Sequence, residues 1–168
     1  MSHSTYYLFD NDGGILEKFE MGNGWGSSPV IWGYLCKKYI GPQSIWLMDL
    51  PKIESKEILA RMDPKDRFLF YMTCDRTVLP RAEFLRAATL IEAVPIELNQ
   101  VSHWPSLVKV LRARAEDERV LGFGIQATSV SDNLWEQWSE KEERTVVFDA
   151  RQAWKAEYEE KERDHEEA

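Results

Sequence analysis

Apolar positions in this chain fall into short runs separated by Gly, Pro, Asn and Asp, and the spacing inside each run predicts its element. Thr5-Tyr6-Tyr7-Leu8-Phe9 is β-type, Asp10-Asn11-Asp12-Gly13-Gly14 supplies a turn, and Ile15 to Met21 alternates imperfectly. Asp-Gly between two such runs predicts a β-hairpin over residues 5–21. The densest apolar run is Arg67-Phe68-Leu69-Phe70-Tyr71-Met72. It is short, follows Asp63-Pro64 and ends at Thr73-Cys74-Asp75-Arg76-Thr77, so it reads as a strand buried on both faces, in the middle of a mixed sheet. Val120 to Ile125 is a second buried strand, in which Gly122 and Gly124 leave one face bare for a helix, an aromatic ring or a ligand. Thr145 to Phe148 reads as a last strand, and Ser44–Met48 and Ile96–Leu98 are short strand-like pieces.

Helical spacing appears at Val30–Tyr39, with Ser28 as N-cap and Pro29 in the first turn. Gly33 inside this helix suits close packing against the sheet. The same period marks Ser55–Met62, with Ile58, Leu59 and Met62 inward, and Pro80–Val94, with Phe84, Ala87, Ala88 and Ile91 inward. A helix opened by Ser102-His103-Trp104-Pro105 turns Leu107, Val108, Leu111 and Ala115 inward. Asn133, three residues before Glu136, has capping-box spacing and predicts a helix carrying Leu134, Trp135 and Trp138. Ala150 to Tyr158 is the last helical stretch, and beyond it residues 159–168 form a charged helical tail with no apolar stripe. The pattern predicts one α+β domain over residues 1–168: an N-terminal hairpin, a mixed sheet covered by helices and an exposed C-terminal helix. It contains no internal repeat or linker.

Composition narrows the classes. A chain of 168 residues folds without a metal or disulfide framework, and Cys36 and Cys74 read as buried free thiols. Ser2-His3-Ser4 leads into a strand pattern without the basic region and apolar core of a leader, so a cytoplasmic location is expected. No apolar run approaches the ~20 residues of a membrane span. The net charge is −8, and from Glu136 onward twelve acids face six bases. Acidity so concentrated argues against a nucleic-acid partner, which wants a basic stripe, and suits a basic protein.

Candidate chemistry is sparse. The loop Gly22-Asn23-Gly24-Trp25-Gly26-Ser27-Ser28-Pro29 precedes a helix, as phosphate-binding loops do. However, Ser27 stands where a dinucleotide fingerprint needs Gly, and no Lys follows as in a P-loop. Asp10, Asn11 and Asp12 lack the closing glutamate of an EF-hand. His103 reads as a cap-region residue. No metal or cofactor is expected. Two readings remain open. Trp25, Trp104 and Trp135, placed at loops and helix starts, together with Asp132, predict a partner-binding surface of the kind used by stoichiometric inhibitors and immunity-type proteins. Alternatively, Asp75, Arg76, Gln126, Thr128 and Ser129, at the ends of the two buried strands, would line a small-molecule or catalytic pocket if those strands are neighbours. Because residues 160–168 bring no apolar surface to bury, deleting them should leave the melting temperature unchanged in a calorimetric scan.

Overall fold

In a computed structural model of the chain, His3–Asp10 (β1) and Ile15–Gly22 (β2) form the hairpin that the sequence predicts. The structure describes residues 2–75, 77–97, 100–127, 133 and 135–151. The acidic turn closes on itself, since Asp10 Oδ1 accepts hydrogen bonds from the backbone N–H groups of Asp12 and Gly14, both at 2.9 Å. Gly13 has φ +83°, and an added Cβ would stand 1.9 Å from Asp149 Oδ1, so both backbone and space require glycine there. Its carbonyl accepts from Ala150 N–H at 3.0 Å, which ties the hairpin tip to the end of the described chain.

Six helices follow or interleave with the strands among the described residues: α1 (Ser28–Tyr39), α2 (Trp46–Ile53), α3 (Lys56–Arg61), α4 (Pro64–Met72), α5 (Phe84–Glu92) and α6 (Trp104–Arg114). The remaining strands are β3 (Val78–Pro80), β4 (Val120–Gln126) and the separate pair β5 (Glu136–Ser139) and β6 (Arg144–Val147). The main sheet has the order β2-β1-β4-β3, and the class is α+β. Every pairing among the described strands is antiparallel, which corrects the expected mixed sheet.

The largest correction concerns residues 67–72, which are not the central strand but most of α4. Asp63 accepts from Lys65 N–H at 2.9 Å as N-cap, and Pro64 occupies the first turn. Every residue from Asp66 to Met72 is buried. A helix enclosed on all sides has no polar face, so its period of 3.6 leaves no trace in the sequence. Its one carboxylate, Asp66, is met by Lys38 Nζ at 2.5 Å and the Tyr39 hydroxyl at 2.7 Å.

The sheet is centred on β1 and β4 instead. Tyr6, Leu8, Phe123 and Ile125 point toward the helices and join the main core. On the other face Tyr7, Phe9 and Val78 surround the bare strip of Gly122 and Gly124, and Trp135 and Ala150 cover it. An added Cβ on Gly124 would stand 2.7 Å from the Phe9 ring and 3.2 Å from Trp135, so the glycine face accommodates aromatic rings.

Other expectations shift. Ser44 and Ile45 lead into α2 and Trp46–Met48 form its first turn, so this piece is not a strand; Ile96 and Glu97 lie outside any strand, and Leu98 lies outside the described residues. Pro80 ends β3 before a short 3₁₀ turn leads into α5. The segment after Asn133 is β5, not a helix: Asn133 Oδ1 accepts from Trp135 N–H at 3.0 Å and Glu136 N–H at 3.2 Å, a turn that launches a strand. The predicted helix 150–158 is described only at Ala150 and Arg151, and the tail 159–168 lies outside the described residues.

Phe70→Ala should cost about 3–5 kcal/mol in urea unfolding, whichever element carries the ring, because the side chain is buried. Gly124→Ala should cost about 1–3 kcal/mol by forcing a methyl against Phe9. A cost under about 1 kcal/mol at position 124 would mean that the Phe9 and Trp135 rings give way freely.

Candidate functional site

The glycine-rich loop is fastened by its backbone. Gly24 N–H donates to the Ser2 carbonyl at 3.2 Å, His103 N–H to the Gly26 carbonyl at 2.8 Å, and Trp104 Nε1–H to the Ser27 carbonyl at 3.0 Å. His103 Nε2 lies 2.9 Å from the Asn23 carbonyl and donates to it. A Cβ on Gly24 would come within 3.3 Å of the His3 and Ala127 carbonyls, and one on Gly26 within 3.0 Å of His103 Nε2. The glycines therefore let the chain lie flat against its neighbours, and the side chain of Trp25 between them is left half exposed.

Trp25 does not stand alone. Its ring meets Trp46 edge-on at 5.2 Å, and Trp46 packs against Trp32 at 5.6 Å. Trp32 is anchored by its indole N–H to Thr73 Oγ1 at 3.0 Å. Trp46 opens α2, whose first turn is fixed by Asp49: the carboxylate bonds Lys52 at 2.6 Å, the Ser44 hydroxyl at 2.6 Å and Ile45 N–H at 3.1 Å. Lys52, followed by Ser44 and Ile45, holds the Asp49 pKa down to about 2. This rigid turn presents Ile45, Leu47 and Met48 at 55%, 56% and 75% exposure, beside Trp25 at 51%. Val101, at 59%, follows Gln100 on the adjoining segment.

A groove of about 570 Å³ runs beside this patch. One wall is a stripe of α1 through Pro29, Gly33, Tyr34 and Lys37, and Ile45, Trp46, Pro95 and Glu97 also line it. Gly33 was expected to pack against the sheet, but it lines the groove. Among the described residues outside its own helical turns, the only atom near an added Cβ is Trp46 Cδ1, at an ordinary 3.8 Å. The charges bordering the face are engaged: Lys37 with Glu97 at 3.1 Å, Lys38 with Asp66 at 2.5 Å, and Lys52 with Asp49 at 2.6 Å.

Of the predicted contact residues, Trp25 lies on this surface. Trp104 and Trp135 do not, which corrects the expectation that they are exposed: both are buried, and each indole N–H reaches a buried carbonyl, Ser27 and Ile125 respectively. Asp132 lies outside the described residues. Ile45, Trp46, Leu47 and Met48 were missed as surface residues. Their signal was four consecutive apolar positions, which cannot all point to the core from one helical turn.

In the alternative pocket, Asp75 and Gln126 do come together. Asp75 Oδ1 accepts from Ala127 N–H at 2.8 Å, directly after a buried Gln126. Arg76, Thr128 and Ser129 lie outside the described residues. Nearby, the Tyr7 hydroxyl accepts from Asn133 Nδ2 at 3.0 Å and donates to Glu136 at 3.3 Å. Burial in the first place, against the Asn133 bond and with the Glu136 charge, pushes the Tyr7 pKa up to about 12. Burial likewise pushes the Cys36 thiol up to about 11. Both shifts favour the protonated phenol and thiol. Among the described residues no group of three or more His, Cys, Asp and Glu is placed to hold a metal ion, and no helix is long and apolar enough to cross a membrane.

Compared with family models, curated proteins and solved structures, the chain matches none.

Gly33→Ala should stabilise the protein by up to about 1 kcal/mol, since Ala favours a helix interior and the groove has room for the methyl. Thermal unfolding measures this directly, and a lower melting temperature would place a hidden neighbour at Gly33.

Proposed function

We propose that this chain is a non-catalytic protein-binding domain that works by burying the Trp25–Trp46–Met48 face on another protein. The observation that carries the reading is a cluster of large apolar side chains beside an open groove: Trp25, Ile45, Leu47 and Met48 are each at least half exposed, and the partly buried Trp46 backs Trp25. The largest apolar patch on a monomeric protein is often a functional one. Aromatic anchors supply area at little conformational cost, and Met adapts to irregular partners. The engagement of His103 by the loop backbone supports a role without catalysis.

The chain's charge of −8 supports extending this to a basic partner, as for a stoichiometric inhibitor or an immunity-type protein. The division of labour follows from where the charges lie. The border of the face is paired and near neutral, so affinity comes from apolar burial, while net charge steers encounter.

Affinity capture with the tagged chain from its host cell, identification by mass spectrometry and calorimetry with the purified partner test this. Trp25→Ala should weaken binding by about 2 kcal/mol or more, and Met48→Glu should weaken it further, with melting temperatures unchanged. Added salt should slow association and leave dissociation nearly constant. A partner whose affinity ignores both substitutions would bind elsewhere on the molecule.

A further inference from the structure

We infer that, when no other protein occupies it, the Trp25–Trp46–Met48 face is closed by a second copy of this chain, so that self-association and partner binding compete for one surface. The inference rests on the reading of this face as a protein interface and adds the identity of an occupant.

Three features point to a second copy. The first is shape. A two-fold interface uses one patch twice, so that patch must carry both what projects and what receives. Leu47 and Met48 project from the first turn of α2, while Ile45 and Trp46 of the same turn line the groove beside Gly33. Met48 of one copy can therefore enter the groove of the other while the reverse contact forms. The unbranched methionine side chain suits such insertion, and Gly33 keeps the groove open without being needed for helix packing.

The second feature is area. Trp25, Ile45, Leu47, Met48 and Val101 together expose on the order of 500 Å² of side chain, within the ~300–600 Å² of a monomer's largest apolar patch. Complete burial of both patches would cover about 1,000 Å², below the ~1,200–2,000 Å² of stable complexes, which makes the pair weak and exchangeable. A weak pair is what a competing partner can displace.

The third feature is charge. Lys37, Lys38 and Lys52 are matched by Glu97, Asp66 and Asp49, so these groups leave no net charge at the border of the face. The net −8 of each copy acts at longer range and opposes the pairing. Salt screens that repulsion and should tighten the dimer. Association with a basic partner depends on salt with the opposite sign.

Sedimentation equilibrium of the full chain at low and high sodium chloride, for wild type, Met48→Glu, Leu47→Glu and Gly33→Leu, tests the inference. The wild type should dimerise with a dissociation constant on the order of micromolar to tens of micromolar, tighter in high salt. Each substitution should weaken the dimer at least roughly tenfold. Positions 47 and 48 are exposed and Gly33 opens onto the groove, so thermal scans should show all three variants folded. A wild type that stays monomeric at about millimolar protein, or a dimer indifferent to all three substitutions, would overturn the inference. If the wild type is monomeric but Met48→Glu abolishes capture of a host protein, the inference alone falls. If neither self-association nor capture responds, the reading of the face falls with it.

Discussion

The pairing of β1 with β4 is the contact on which the rest of the structure depends. It joins Thr5 to Gln126 and Asp10 to Val120, so nearly the whole described helical layer lies in the chain between the two strands. Closing so long a loop costs entropy that only a well-filled interface on both faces can offset. One face is filled by Tyr6, Leu8, Phe123 and Ile125 against the helices. On the other, Gly122 and Gly124 provide the space into which Tyr7, Phe9 and Trp135 fit. Larger side chains at the two glycines would leave those rings without a place.

The same closure builds the candidate interface. The end of β4 delivers Ala127, whose carbonyl accepts from the Ser4 hydroxyl at 2.7 Å, and against which Gly24 lies. His103 and Trp104 hold the loop from the side of α6. Once that backbone is fixed, Trp25 can only point outward, and Trp46 has a ring to lean on. The apolar face is thus positioned by the main sheet and by α6.

The polar cluster and the apolar face differ in how far the described chain satisfies them. The polar cluster at Tyr7, Asn133 and Glu136 is internally satisfied, and its phenol is held protonated. Asp75 is committed to the backbone of Ala127. Groups already bonded to one another make a structural network first, whereas the Trp25–Met48 face carries apolar surface that the described chain leaves uncovered.

Local chemistry was legible wherever neighbours in sequence decide the outcome. The Asp-Gly hairpin, the helices α1, α3 and α6, and the strand at Val120–Gln126 follow from turn residues, caps and short-range periodicity, and so does the surface position of Trp25 in a glycine-rich loop. Tertiary packing decided the rest. A run buried on all sides looks the same as helix or strand, so Phe68–Met72 took its form from the layer around it. Whether a tryptophan ends inside or outside depends on whether a distant carbonyl meets its N–H. Ser27 and Ile125 do so for Trp104 and Trp135, and the three-dimensional arrangement alone brings them there.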